Sequence, residues 1–230
     1  LSKSYIEAKD VRFTIGDQEI VISTEMDELT DHTNLLAKIR KVNIADFTPF
    51  FLKQPRLEGV LTGTIKLKEP FGRQIVEFDA EAEDFAVDNK KIGTTKVKGD
   101  LNPKTGVINL EANADGESYK FNVKGSINYK DTTGNGINLD FAADRFDVSI
   151  LDNYLGSVFT GLQGDAKSNL KISSENGHRT ITGSVTITGG ALTVKYTQCK
   201  YWFDNETIIF NPDEIDIGTL QLRDTFSNTG

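Results

Sequence analysis

Apolar and polar positions alternate with a period of two through most of the chain, the spacing of strands with one dry and one wet face. Ile181, Gly183, Val185 and Ile187 fall on one side, against Thr180, Thr182, Ser184, Thr186 and Thr188 on the other. Gly189-Gly190 then predicts a hairpin turn, with Leu192, Val194 and Tyr196 on the returning strand. Earlier, Val11, Phe13 and Ile15 alternate and lead through Gly16-Asp17-Gln18-Glu19 to Ile20 and Ile22. Leu57, Gly59, Leu61, Gly63, Ile65 and Leu67 alternate again, as do Val76, Phe78, Ala80 and Ala82. Phe121, Val123, Gly125 and Ile127 oppose Lys120, Asn122, Lys124 and Ser126, and Asn135-Gly136 predicts a tight turn before Leu139 and Phe141. The period fails twice. Phe47, Phe50 and Phe51, and later Leu151, Tyr154, Leu155 and Val158, stand at helical spacing, which predicts short helices over 45–52 and 150–159.

These breaks mark a repeat. Leu57-x-Gly59 and Leu162-x-Gly164 each open a strand at an offset of 105 residues, and Ile65-Lys66-Leu67 matches Leu170-Lys171-Ile172. The expected organisation is a single elongated β-domain over 1–230. It holds two internal repeats, about 42–146 and 147–230, the second incomplete. The expected fold class is all-β, an elongated curved antiparallel sheet with two short amphipathic helical turns.

A one-sided sheet must hide its apolar face in a sandwich, in a barrel, or against an apolar ligand. Gly63, Gly99, Gly125 and Gly183 all sit in the apolar register. Inward glycines let a sheet bend tightly, and they also mark bulges in an ordinary sandwich. The residue pattern leaves an open groove and a partly closed β-sandwich or roll as alternatives.

The stretch Ile181-Thr-Gly-x-Val-x-Ile-Thr-Gly-Gly-Ala-Leu-Thr-Val194 supplies a further lead, together with Leu162-x-Gly164, Tyr201-x-Phe203 and Leu222-x-Asp224. From about Val148 onward the chain resembles the C-terminal region of the TamB and AsmA-like family of Gram-negative envelope proteins, and 57–67 adds weaker support. The resemblance implies a taco-like sheet whose concave lining conducts phospholipids between inner and outer membranes. It also implies a role in outer-membrane protein assembly with the barrel TamA or a similar protein. The implied location is the periplasm, within a protein anchored in the inner membrane through a segment outside this sequence. The lining expected to meet acyl chains is Leu61, Ile65, Leu67, Phe121, Val123, Ile127, Leu139, Leu170, Ile172, Val185, Ile187 and Val194.

Composition narrows the partners. The net charge is −8 and the pI about 4.9, which disfavours nucleic acid and simple docking on anionic headgroups. The lone Cys199 permits no internal disulfide, and no apolar run exceeds three residues. The chain starts at Leu1 and ends at Gly230 without a terminal signature, and is expected to be a piece of a longer protein. His32 and His178 have no partner at metal-ligand spacing, Asp131-Thr-Thr-Gly-Asn135 reads as a turn, and Glu81 and Glu83 read as the wet side of a strand. No enzyme, cofactor or metal is expected. The competing functional class is a structural or ligand-binding module, such as an adhesin or carbohydrate-binding sandwich, for which Trp202 beside Tyr201 and Phe203 is the candidate cluster.

Overall fold

The computed structural model describes residues 6–26, 33–48, 55–175, 177–219 and 221–224. Alternation produces what it should, a single open, unclosed and curved antiparallel sheet. Its strands follow one another as β1 Val11–Ile15, β2 Gln18–Met26, β3 Thr33–Asn43, β4 Leu57–Lys68, β5 Ile75–Val87 and β6 Lys90–Asn102. They continue as β7 Val107–Asp115, β8 Tyr119–Asn128, β9 Ile137–Asp147, β10 Phe159–Glu175 and β11 His178–Val194. Each pairs with the strand before and the strand after it. β12 Cys199–Phe203 and β13 Glu206–Phe210 then lie end to end along β11. The short β14 Ile215–Asp216 and β15 Arg223–Asp224 pair in turn with β13 and β12. At a strand spacing of about 4.8 Å, these thirteen lines span roughly 60 Å.

Two expected turns fall elsewhere. β11 runs straight through Gly189-Gly190, since pairing with β10 holds on both sides, at Thr188↔Asp165 and Ala191↔Gln163. A turn there would strip the start of β10 of its partner. Gly189, at φ +62°, makes a bulge instead, and the inward-facing positions pass from Ile187 to Leu192 and Val194. The chain reverses at 195–198, closed by the Gln198 amide donating to the Val194 carbonyl at 2.8 Å, with Tyr196 97% exposed at the tip. Asn135-Gly136 is likewise not a two-residue turn, because the loop runs over 129–136. The Asp131 carboxylate orders that loop by accepting from the Thr133 and Asn135 amides and from the Thr133 hydroxyl. These bonds, the hydroxyl foremost, hold Asp131 below the usual carboxylate range.

Helical turns occur at both breaks in the period. α1 spans Ile44–Phe47, capped by the Asn43 side chain accepting from the Ala45 amide; the rest of the expected 45–52 helix, 49–52, lies outside the described residues. At the second break a 3-10 turn over Val148–Leu151, capped by Asp147 on the Ser149 amide, leads into α2, Asp152–Leu155. Each helical turn links two neighbouring strands, and each is followed by a strand bulged at glycine, Gly59 in β4 and Gly164 in β10.

The wet face carries a ladder of alternating charge. Asp79, Lys98, Glu111, Lys124, Asp140 and Lys171 stand side by side on six successive strands. Lys98 and Lys124 approach Glu111 at 3.4 and 4.0 Å. Exposed pairs of this kind contribute at most about 1 kcal/mol each. Their larger effect is on register, because a slip of one residue would carry a charge onto the apolar face. Alanine at Lys120, Lys124, Glu77 or Thr182 is therefore expected to change stability by no more than roughly 0.5 kcal/mol. Larger losses at two of these sites in chemical denaturation would mean that the faces are reversed.

An open apolar face as candidate functional site

Directly paired residues in an antiparallel sheet share a face, so the registers assemble the lining row by row. One row reads Phe13, Ile20, Ile39, Gly63, Ala80, Val97, Ala112, Val123, Phe141, Leu170, Gly183, Phe210 and Ile215. It crosses all thirteen lines of the sheet without a polar side chain. The next row is equally apolar, from Val11, Ile22, Ala37, Ile65, Phe78 and Gly99 to Leu110, Gly125, Leu139, Ile172 and Ile181.

Every expected lining residue falls on this face. Val123 and Leu170 belong to the first row, and Ile65, Leu139 and Ile172 to the second. Leu67 and Ile127 belong to a third row, with Val76, Leu101, Ile108 and Ile137. Leu61, Phe121 and Val185 stand in a fourth, which also holds the hydroxyls of Thr95 and Ser168. Ile187 and Val194 continue the face on either side of the Gly189 bulge. Sequence reasoning missed the two edges. Val11, Phe13 and Ile15 at one edge and Ile215 at the other are exposed, and the period-two signal in β1 was the available clue.

Burial distinguishes this face from a sealed core. None of the twelve expected lining residues is fully buried, and Ile65 is 38% exposed. Among the described residues the fully buried hydrophobics are few, and half of them are alanines: Ala82, Ala114, Ala143, Ala166 and Ala191. A sandwich of this length would bury large side chains along both inner faces. The two clusters of buried side chains lie at the ends of the strands beside the second helical turn. There Ile92, Ala114 and Tyr119 meet Ile150, and Val148, Leu162 and Ala166 meet Ile187 and Leu192.

Tyr119 anchors that compact end. It is 2% exposed and its ring meets Phe146 edge-on at 5.4 Å. Burial pushes its pKa up to about 12, with the Asp147 charge adding and nearby Ser149 opposing slightly. The folded state therefore keeps this proton where the unfolded chain, with an ordinary phenol near 10, has lost it. Stability is complete below pH 10 and falls by about 2 to 3 kcal/mol as pH rises towards 12. Tyr119→Phe should be nearly neutral at pH 7 and flatten that fall; equal slopes for both proteins in urea titrations at pH 10 to 12 would refute the assignment.

His178 opens β11 and Cys199 pairs with Val194 near its other end, so about 50 Å of extended strand separates them and no thiol dyad forms. Among the described residues no group of three or more His, Cys, Asp and Glu side chains is placed to hold a metal. The Trp202 ring carries the Lys200 ammonium 5.1 Å from its centroid. No described helix is long and apolar enough to cross a membrane. Comparison with known proteins returned no matching family model, curated protein or solved structure.

Proposed function

We propose that this chain is a lipid-conducting segment of a TamB-like envelope protein, in which the apolar face carries phospholipid acyl chains between inner and outer membranes. The observation that carries the reading is the thirteen-residue apolar row, none of it fully buried, running from one sheet edge to the other. A binding pocket ends in polar walls and places a few hydrogen-bonding groups to orient its ligand. This row has neither, and the backbone groups beneath it are spent in the ladders. Such a surface suits an occupant with no hydrogen-bonding capacity. Each methylene exposed to water costs about 0.8 kcal/mol, so a dry lining continuous from end to end is what acyl chains need in an aqueous compartment. No chemical step is required of the chain.

Photo-crosslinking from Val123 and Val185 in cells producing the full-length protein tests the reading. Adducts to phospholipid are expected from both positions. Adducts solely to the protein's own strands would show a closed interior and end the proposal for this segment.

A further inference from the structure

The lining is not uniform in height. Four aromatic side chains stand together on the adjacent strands β8 and β9. Phe121 lies 5.5 Å from Phe141 and 5.9 Å from Phe146, Phe141 lies 5.7 Å from Phe146, and Tyr119 completes the group against Phe146. On the flanking strands these rows carry the small side chains Ala112 and Ala114 on β7 and Ala166 and Ser168 on β10, while Phe141 has Leu170 beside it on β10. Mutual edge-to-face contacts hold the rings in place, and the buried Tyr119 fixes the base of the group. Phe121 and Phe141 remain half-buried and project from the face on which Val97 and Leu170 lie to either side.

We infer that Phe121 and Phe141 form a fixed ridge that narrows the apolar trough at β8 and β9, leaving the rows through Gly125 and Ile127 beside it, and slows the passage of acyl chains from the stretch before it to the stretch after it. The inference rests on the lipid reading above. It assigns the rate-setting point to two residues and predicts that each stretch fills separately. A chain entering from the β1 edge meets Ile39, Ala80 and Val97 first, and reaches Leu170 and Val185 by passing over the rings or through the narrowed strip beside them at Gly125 and Leu139.

The purified chain, tethered by an N-terminal histidine tag to nickel-chelating phosphatidylcholine vesicles, presents its β1 edge to the lipid. Photo-reactive p-benzoylphenylalanine at Val97 reports the near stretch and at Leu170 the far one. Lipid adducts are expected to form at least five-fold faster at Val97 than at Leu170 in the unaltered ridge. The double variant Phe121→Ala/Phe141→Ala should bring the two rates within two-fold, and Phe141→Leu, which keeps apolar bulk in case the double variant unfolds, should lie between. Equal rates with the ridge intact, or a ratio unmoved by both variants while Val97 still labels, would overturn the ridge and leave the lipid reading standing. Absence of lipid adducts at both positions would remove the lipid reading, and the ridge with it.

Discussion

Alanine at Gly183 or Gly125 is expected to destabilise the protein by roughly 2 to 5 kcal/mol, the combined scale of overpacking and of backbone strain. A Cβ on Gly183 would sit 2.0 Å from the Asn169 carbonyl oxygen of β10, and on Gly125 2.1 Å from the Asn138 carbonyl oxygen of β9. Both obstacles are backbone atoms within a ladder, which move only if the pairing moves. The two glycines also take φ of +123° and +149°, a region that L side chains rarely adopt. Gly177, in the tight turn between β10 and β11, is the control. Its φ is +82° but its Cβ would meet nothing within 4 Å, so Gly177→Ala should cost about 1 kcal/mol. Urea unfolding of the three variants reads the difference. If Gly183→Ala loses no more than Gly177→Ala, the strands yield easily, and close backbone approach is not what places glycine in the lining.

Ile127→Arg is expected to leave the fold largely intact and to reduce phospholipid labelling from Val123 at least ten-fold in the full-length protein. Ile127 is half-buried in the row next to the hairpin loops and packs on neither compact cluster. An arginine there can run its stem along the apolar row and hold its guanidinium at the loop rim, so the loss of stability should be about 1 kcal/mol. The charge would nonetheless lie in the path of the tails, where an unpaired ion in apolar surroundings costs several kcal/mol. Val185→Glu behaves differently. Val185 packs against the cluster of Val148, Leu162 and Ala166, so its carboxylate would be forced into the compact end, and unfolding is expected alongside lost labelling. Unchanged labelling in a folded Ile127→Arg protein would show that acyl chains do not follow this row.

These two sites illustrate what the sequence conveys and what it does not. Alternation assigns both Ile127 and Val185 to the dry face, correctly, because side-chain direction in a strand is local and has a period of two. It cannot say that Val185 packs against the cluster of Val148, Leu162 and Ala166 while Ile127 packs on neither cluster, since that depends on contacts between distant residues. The glycines are a similar case. Their place in the apolar register is legible, whereas the carbonyl that each one faces belongs to a neighbouring strand. Gly189-Gly190 misleads for a related reason: a bulge and a turn both need a positive φ, and only pairing with β10 on both sides distinguishes them. The aromatic ridge is assembled the same way, as Phe121, Phe141 and Phe146 come together only once β8 and β9 pair.

The serial pairing of strands has a mechanical consequence. Because each line of the sheet is bonded mainly to the one before it and the one after it, cohesion is close to a sum of neighbour terms, as in a stacked array. Adding or deleting a hairpin would change the reach by about 10 Å and leave the cross-section of the trough as it was. The chain is thus built like a ruler, on which distance is set by counting strands.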